Sequence, residues 1–362
     1  MELAAQTSGQ EIEEQAVHDA QTEQDTRALL PFERESYEVL VRKKAATDAK
    51  FGCKPGDRPP EELLRYGIIN VDKSSGPTSH QVSAYVQKIL QIKKSGHSGT
   101  LDPKVTGVLP VALGEGTKAV QALLTAGKEY VCIMHIHKLL PEEEVRKVCA
   151  SFVGKIKQLP PIKSAVKRQW RYRKVYYFNI LEINEQDVLF RIGCQAGTYI
   201  RKICHDIGQS LGCGAHMADL RRTKVATFSE DTLFTLHDLA DAFSYYKQGN
   251  DAFLHKIIQP IERSVDHLKK VWIFDTTVDT LCHGASLKAP GISMVHNHIQ
   301  VDDLVAIMTL KDELVAIGHT MMTSHDMLKQ ERGIAVKLER VFMKPGVYPK
   351  VEVFPKAIPG EK

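Results

Sequence analysis

One carboxylate lies in a segment that suits neither a helix nor a strand. Asp102 belongs to Gly96–Pro103, which reads Gly-His-Ser-Gly-Thr-Leu-Asp-Pro. Glycine tolerates positive φ, and proline fixes φ and lacks an N–H, so these residues indicate a tight loop. Two interpretations stay open from the residues alone. The loop is either a turn in which the carboxylate bonds its own backbone, or a support that presents Asp102 to a substrate at a fixed angle.

A second candidate is an arginine at the start of a predicted helix. Apolar residues spaced by three or four predict an amphipathic helix over about 199–211, and Arg201 falls in its first turn. An arginine at this position is either a solvated surface cation or the partner of a carboxylate. In the second case, its charge favours the ionised form of that acid.

A long basic stretch is the third signal, because no acidic residue occurs between Glu144 and Glu182. The stretch holds ten cations: Arg146, Lys147, Lys155, Lys157, Lys163, Lys167, Arg168, Arg171, Arg173 and Lys174. Its dense part also holds four aromatic residues: Trp170, Tyr172, Tyr176 and Tyr177. Single-stranded RNA binding requires cations that contact phosphates beside rings that stack on bases. The pattern therefore favours nucleic-acid contact, with a solvated basic loop as the alternative.

Several cysteines and histidines lie close together, but they do not predict a metal site. The residues are Cys204, His205, Cys213 and His216. Their spacing matches no standard zinc finger, and Cys204 falls beside the apolar stripe of the 199–211 helix. The chain also has no P-loop, dinucleotide-binding fingerprint or His-Glu-x-x-His motif.

The composition predicts a soluble protein of about two domains with a basic body. The chain has 362 residues, of which 43% are hydrophobic and 25% charged. Residues 1–30 have a net charge of −6 and the whole chain has +4, so the rest has +10, which suggests a polyanionic partner. The sequence contains neither an apolar run of about 18 residues nor a secretory signal pattern. Seven cysteines without a Cys-x-x-Cys pair predict reduced thiols in an intracellular protein.

The elements that must position these residues alternate irregularly along the chain. Strands are predicted at 66–71, 129–137, 175–183 and 187–194. Helices are predicted at 142–153, at 199–211 and from a cap at Thr78 or Ser79. Strands and helices without strict βαβ order favour an α+β, mixed-sheet domain. From about residue 270 the pattern changes to short β elements, which predicts a separate small β-barrel-like module with its own core.

Four motifs follow one another along the chain: Asp72–Ser79, Gly96–Pro103 with the next six residues, Lys128–Tyr130 and Gly197–Arg201. Together they resemble the motifs of the TruB/dyskerin branch of pseudouridine synthases, whose longest motif is G-H-x-G-T-L-D-P-x-x-x-G-x-L. Two further segments, Pro160–Arg168 and Gly214–Thr223, are similar to the archaeal and eukaryotic members. The greatest similarity is to the archaeal dyskerin homologues, the catalytic subunits of box H/ACA ribonucleoproteins. The segment from Cys282 to Gly346 resembles a PUA domain, an RNA-binding module.

The resemblance implies an enzyme that isomerises specific uridines of RNA to pseudouridine. Asp102 would be its catalytic carboxylate, Arg201 would pair with Asp102, and Tyr130 would stack on the flipped base and help to move a proton. The implied substrate-binding residues are Lys73, His80, His97, Tyr199, Lys163, Lys167, Arg168 and Arg171, with His97 acting mainly as a hydrogen-bonding residue that shapes the loop. The net reaction neither consumes nor makes a redox equivalent, so no cofactor is expected.

The implied architecture is α+β, with a mixed-sheet pseudouridine synthase catalytic domain followed by a small β-barrel PUA domain. The predicted boundaries are 1–34 for an acidic, Gln/Glu-rich flexible extension, 35–267 for the catalytic domain, 268–352 for the PUA domain and 353–362 for a tail. The extension departs from the family pattern. So does Asp302, which stands where the family usually has glycine.

The resemblance also implies RNA and protein partners. They are a box H/ACA guide RNA, an rRNA and in some cases a tRNA substrate, and three small core proteins: a zinc-ribbon scaffold protein, a β-barrel regulatory protein and a kink-turn-binding protein. An archaeal-type cytoplasmic location is expected. Two alternatives stay open, a stand-alone synthase for the TΨC loop of tRNA and an RNA-binding scaffold without activity. A glycosidase would need a second flanking carboxylate and ranks last.

Overall fold

The computed structural model describes residues 29–160 and 167–350 of the chain. Its strands are β1 (Val39–Val41), β2 (Gly67–Lys73), β3 (Ser95–His97), β4 (Thr106–Leu113), β5 (Lys128–Ile136), β6 (Gly154–Gln158), β7 (Arg171–Asn184), β8 (Asp187–Cys194), β9 (Ala215–Val225), β10 (Phe228–Ser229), β11 (Gln259–Pro260), β12 (Lys269–Ile273), β13 (Leu287–Lys288), β14 (Ile292–His296), β15 (Leu304–Met308), β16 (Leu314–Thr320) and β17 (Ile334–Val341). Its α-helices are α1 (Pro60–Tyr66), α2 (Ser79–Leu90), α3 (Val120–Thr125), α4 (Glu142–Ala150), α5 (Ile200–Ser210), α6 (Leu236–Lys247), α7 (Ala252–Ile257), α8 (Asp275–Cys282) and α9 (Ser324–Lys329).

Helix α2 begins where the sequence predicts, and Thr78 is its cap. The Thr78 hydroxyl accepts a hydrogen bond from the Gln81 N–H at 3.2 Å, and the Gln81 side chain accepts one from the Thr78 N–H at 2.8 Å. This reciprocal pair satisfies two N–H groups that the first turn leaves without partners. Ser79, the other candidate cap, is left available to bond the loop that carries Asp102.

A ten-stranded mixed sheet forms the larger module, which confirms the predicted α+β class. Its strand order is β11-β2-β4-β9-β5-β8-β7-β6, with β3 paired to β4 and β10 to β9. Its neighbouring strands are antiparallel except β4 and β9, which pair in parallel over Thr106–Gly107 and Arg221–Arg222. Gly107 has φ +102°, and a Cβ atom there would collide with the Arg222 carbonyl. Glycine therefore permits the close approach of the two strands beside the candidate site.

A seven-stranded sheet forms the C-terminal module, in the order β1-β14-β12-β15-β16-β17-β13. Strand β1 comes from the N-terminal part of the chain and pairs with β14 from Val39↔His296 to Val41↔Met294. The predicted boundary at residue 35 assigns β1 to the catalytic domain, whereas the structure places it in the C-terminal sheet. Asp302 has φ +68°, which accounts for the glycine usual at this position.

The two modules share part of their apolar core, although the change of pattern near residue 270 predicts separate cores. One buried cluster joins Val108 and Ile261 of the first module to Trp272, Met308 and Phe342 of the second. At the same junction, Arg58 and Glu262 form a buried ion pair with an N–O distance of 2.8 Å. The modules are therefore continuous in packing. Among the described residues, no helix is both long and apolar enough to cross a bilayer.

Candidate active site

Asp102 lies at the tip of a loop that is anchored on both of its sides. Leu101 and Val105 are buried in the core under β5 and α5, while the Asp102 side chain is 54% exposed. The Leu101 N–H donates to the Ser79 hydroxyl oxygen at 2.8 Å, and Ser79 bonds back to the Leu101 carbonyl at 3.3 Å. The Asp102 carbonyl accepts from the Val105 N–H at 3.0 Å. The loop therefore projects the carboxylate into solvent in one fixed direction.

Lys73 is part of this anchoring, which corrects its predicted role as an RNA contact. Its side chain has no exposed surface, and its ammonium donates to the carbonyls of Val105 at 2.7 Å, Pro103 at 2.9 Å and Ser74 at 3.0 Å. Burial is the main cause that lowers the pKa of Lys73, followed by the charge of Arg222, and the charge of Asp102 opposes both. An ammonium enclosed by three carbonyls cannot also bind a phosphate. Lys73 holds the loop in place.

Arg201 forms an ion pair with Asp102 from the first turn of helix α5. Both side chains are about half exposed, so this pair adds little to the stability of the fold. The start of α5 is itself fixed, because the Gln158 amide bonds both the N–H of Tyr199 at 3.1 Å and its carbonyl at 3.2 Å. A planar guanidinium on a rigid helix start holds the carboxylate in a defined orientation. Tyr199 lies beside the pair as the residue that precedes the helix.

Tyr130 lies on β5 next to this pair, and a buried arginine supports it from behind. Arg222 of β9 is directly opposite Tyr130 in the strand register, and its charge and hydrogen bonding act on the pKa of the Tyr130 phenol. Burial raises the pKa of Tyr130, the Arg222 charge opposes that rise, and Asp102 is near enough to contribute to it. The phenol is therefore held in its protonated form against the ion pair.

The two histidines near the loop contact each other. The rings of His80 and His97 meet edge to face with centroids 4.7 Å apart, and the His97 Nδ1 accepts from the Gly99 N–H at 3.3 Å. Burial lowers the pKa of His97 to about 4, and the charges of His80 and Arg222 add to the effect. At neutral pH His97 is therefore an uncharged hydrogen-bond acceptor, which fits its predicted role in shaping the loop. His80 is exposed in the first turn of α2.

The basic stretch from Lys155 onward forms the hairpin of β6 and β7 at one edge of the large sheet, while its first two cations, Arg146 and Lys147, lie on α4. Lys167 and Arg168 are exposed, Arg171 begins β7, and Lys163 lies outside the described residues. The Trp170 ring is 60% exposed. Lysine ammonium groups from β6 lie over two of its exposed rings: Lys157 over Trp170 at 4.9 Å and Lys155 over Tyr172 at 4.4 Å. The hairpin thus presents cations and stackable rings to solvent near the start of α5.

The structure brings Asp102, Arg201 and Tyr130 together from three separate motifs. Sequence reasoning missed two buried cations behind them, Arg222 and Lys128. The Lys128 ammonium bonds three carbonyls at the end of α3, and burial, together with the Arg222 charge, lowers its pKa to about 7. A signal for Lys128 was its place at the buried start of β5, whereas β9 also contains exposed and partly exposed charged residues, so no local signal distinguished Arg222.

The cysteines and histidines that the sequence singled out are spread over different environments. Cys204 is fully buried, with its Sγ 3.8 Å from the Cys132 Sγ, whereas His205 is exposed on α5. His216 bonds His137 at 2.9 Å on the large sheet. Within residues 29–160 and 167–350, no group of three or more His, Cys, Asp or Glu side chains is arranged to hold a metal ion.

The fold and the site are those of a known class of RNA-modifying protein. Residues 87–140 and 136–200 match the family model described as TruB family pseudouridylate synthase (N terminal domain). Residues 201–266 match the tRNA pseudouridylate synthase B C-terminal domain, 269–342 match the PUA domain, and 28–83 match the DKCLD (NUC011) domain.

Individual relatives extend the similarity over nearly the whole chain. The probable tRNA pseudouridine synthase B of Methanopyrus kandleri is 54% identical over 327 residues, which cover 90% of this chain and 96% of the relative. The protein of the same name from Pyrococcus abyssi is 53% identical and covers 90% and 98%. A chain in the crystal structure of a Cbf5-Nop10-Gar1 complex is 53% identical with a TM-score of 0.85, over 90% of this chain and 99% of that one. The chain belongs to the TruB family of pseudouridylate synthases.

Proposed function

We propose that this chain is the catalytic subunit of an RNA-guided pseudouridine synthase of the box H/ACA type, acting on rRNA and on some tRNA. The observation that carries the proposal is the anchored loop that holds Asp102 against Arg201 with Tyr130 beside them. An RNA-binding scaffold without activity would not need this arrangement. Similarity to a chain in the structure of an H/ACA RNP bound to a substrate RNA containing 2'-deoxyuridine supports the guided form, at 51% identity and a TM-score of 0.83.

The geometry suits cleavage and re-formation of a bond to ribose. In the reaction, the bond from C1' to N1 of uracil breaks, the base turns, and C1' bonds to C5. The C5 proton leaves and N1 gains a proton, so the atoms and electrons balance without a redox partner. The uridine must first leave its stack, since both reacting atoms are otherwise inaccessible.

Three side chains have separate roles in the reaction. Asp102 acts at the ribose face, either by attacking the sugar or by assisting loss of the base, because it is the exposed and oriented carboxylate of the site. Arg201 pairs with Asp102 and holds its carboxylate in a fixed orientation. Tyr130 stacks on the extruded uracil and helps to move a proton. The exposed cations of the β6–β7 hairpin, Lys167 and Arg168 among them, bind the backbone of the substrate strand.

The proposed partners follow from the guided reaction. The C-terminal module holds the guide RNA, and proteins like those of the Cbf5-Nop10-Gar1 complex and of the archaeal box H/ACA sRNP Nop10-Cbf5 complex assemble with the catalytic domain. A kink-turn-binding protein completes the particle. We place the protein in the cytoplasm, which fits its seven free thiols. Cell fractionation with an antibody to the chain tests this location.

The decisive experiment identifies the RNA on which the enzyme works. The chain is purified from its own cells and the bound RNAs are sequenced, and the reconstituted particle is assayed for pseudouridine in a target strand with a matched or a scrambled guide. Hairpins that end in ACA and activity only with the matched guide are expected. Loss of product in the Asp102→Asn particle shows that the activity belongs to this site. A particle that modifies the target equally well with the scrambled guide contradicts the proposal.

A second candidate is a stand-alone tRNA enzyme, favoured by the name tRNA pseudouridine synthase B that the curated relatives carry. The same purified chain is incubated without guide RNA or other proteins on an unmodified tRNA transcript. Pseudouridine in the TΨC loop at a rate equal to that of the guided reaction favours the stand-alone enzyme. A rate far below the guided one favours the particle.

A further inference from the structure

A buried arginine lies behind the three side chains that act on the substrate. Arg222 of β9 is only 1% exposed, and its Nε donates to the Val108 carbonyl at 2.7 Å while its Nη2 donates to the Gly99 carbonyl at 3.3 Å. Tyr130 is its direct partner in the β5–β9 register, and burial lowers the pKa of Arg222 while the charge and hydrogen bonding of the Tyr130 phenol oppose this effect. Among the residues that the structure describes, no carboxylate forms an ion pair with it.

We propose that Arg222 is a positioning residue for the isomerisation, which acts by holding the Tyr130 oxygen as a hydrogen-bond acceptor and the Asp102 loop through Gly99. The inference rests on the proposed function, because it assigns a task within that reaction. One rigid group then sets the distance between the phenol and the loop that carries the carboxylate. Tyr130 and Asp102 are therefore already in position before the substrate binds.

The hydrogen-bond chemistry explains why an arginine occupies this position. A guanidinium has five N–H donors in a fixed plane and no acceptor, so every contact that it makes is a donation. When it donates to the phenol oxygen, the Tyr130 proton has to point away from Arg222. The proton is then available to a group on another side of the phenol oxygen, such as the substrate. A lysine has one nitrogen and cannot reach the Val108 and Gly99 carbonyls and the phenol together.

The positive charge of Arg222 also supports a role in the reaction. A buried cation without a carboxylate partner creates a positive potential that the low-dielectric interior screens poorly. Burial raises the pKa of Tyr130 and the Arg222 charge opposes this rise. A uracil stacked on Tyr130 would lie near this charge when the bond to C1' breaks and negative charge develops on the base. Preorganised charge of this kind lowers a barrier without reorganisation during the reaction.

Arg221 provides a matched control in the neighbouring position of β9. It pairs with Asp72 at 3.1 Å and with Glu230 at 2.5 Å, and about a third of its side chain is exposed. Arg222→Lys and Arg221→Lys therefore make the same chemical change at adjacent residues, and only the first affects the site. The single-turnover rate at saturating substrate should fall about 10²-fold in Arg222→Lys, the size of a proton-transfer contribution, and stay unchanged in Arg221→Lys. Guide and target affinities should be unchanged in both variants.

A double-mutant cycle with Tyr130→Phe tests whether Arg222 acts through the phenol. In the Tyr130→Phe background the further loss caused by Arg222→Lys should shrink to about threefold, because the acceptor is gone. In Arg222→Gln, which lacks the charge, the high-pH limb of the rate should move to higher pH. Equal losses in both backgrounds, together with an unmoved pH limb, overturn the proposal in favour of a purely structural role.

A folding failure still leaves a test, because circular dichroism and guide affinity are measured for every variant. If Arg222→Lys does not fold, 3-fluorotyrosine at position 130 of the otherwise intact particle lowers the phenol pKa. If the decrease of the rate at high pH moves to lower pH together with the phenol pKa, the reaction uses the Tyr130 proton and the inference is supported. If the decrease does not move, the inference is overturned. If the wild-type particle makes no pseudouridine, the proposed function fails. If only the Arg222 effects are missing, the inference alone fails.

Discussion

Replacing Lys73 by Met distinguishes a residue that supports the catalytic loop from one that binds RNA. In the structure, the Lys73 ammonium lies among the carbonyls of Ser74, Pro103 and Val105, and the last two follow Asp102 in its loop. Methionine has a similar length and keeps the apolar contacts of the lysine stem, but it donates no hydrogen bond. The change therefore removes the anchoring of the loop and little else.

The expected loss of stability follows from the environment of each carbonyl. The hydrogen bond to Val105 is buried, so its carbonyl is left unpaired in the interior at a cost of about 1–3 kcal/mol. The bonds to Pro103 and Ser74 are only partly buried, and water replaces part of each. We expect a decrease of about 2–4 kcal/mol in the free energy of unfolding. A displacement of Asp102 by about 1 Å should lower the isomerisation rate about 10²-fold.

Three measurements on the same protein check this expectation: urea unfolding, the single-turnover rate at saturating RNA, and the salt dependence of target affinity. Lys104→Met is the control, because Lys104 is an exposed cation of the same loop and should leave the stability unchanged. For Lys73→Met the affinity and its salt slope should equal those of wild type. Unchanged stability with weaker binding, and a slope reduced by about 0.7 for a lost phosphate contact, would refute the reasoning and restore Lys73 as an RNA contact.

Four other changes have defined outcomes. Asp102→Asn should abolish product formation and change the free energy of unfolding by less than about 1 kcal/mol, because its ion pair is half exposed. Arg201→Lys should slow single turnover about 10²-fold although it keeps the charge, since lysine cannot grip a carboxylate at two points. Replacing Lys167 and Arg168 by Ala should weaken target binding and reduce its salt slope by up to about 1.4 without changing the rate at saturation. Burial lowers the pKa of His267 to about 4, so the unfolded chain takes up a proton at a higher pH than the folded chain does. The free energy of unfolding should therefore decrease by up to about 3 kcal/mol between pH 6.5 and pH 4. His267→Asn should reduce this pH dependence in thermal unfolding.

Each of these expectations has a contrary outcome. Measurable turnover by Asp102→Asn would exclude that carboxylate as the essential group. A normal rate in Arg201→Lys would reduce the arginine to a general positive charge. Unchanged affinity and salt slope after loss of both hairpin cations would make the hairpin a solvated surface. For the pH test, His237→Asn is an exposed control, and an equal flattening by both variants would exclude burial as the cause.

Local residue types singled out Asp102 and Arg201 as candidates and left their roles open, whereas the resemblance to a known family assigned those roles and identified Tyr130. The elements around them were also predictable from local signals. The predicted helix over 199–211 is Ile200–Ser210 in the structure, and the Thr78 cap is where the capping pattern places it. These features depend on neighbours within a few residues, so the local sequence contains the information.

The roles of Lys73 and Arg222 could not be predicted in this way, because their partners are distant in the chain. Arg222 bonds carbonyls that lie more than 110 residues before it, and Lys73 bonds two that lie about 30 residues after it. Whether a strand lysine points to solvent or to a ring of carbonyls depends on which strand packs beside it. Only the tertiary arrangement of β2, β4 and β9 decides that.

The pairing of β1 with β14 has a consequence for how the protein is made. Val39–Val41 leave the ribosome about 250 residues before their partners Met294–His296, so β1 has no strand to pair with during most of translation. Local elements such as α2 can form early, whereas this contact has one of the longest sequence separations in the fold. The C-terminal sheet is therefore complete only after synthesis of its later strands, and β1 is the earliest-made strand within residues 29–160 and 167–350 and among the last of them to be hydrogen-bonded.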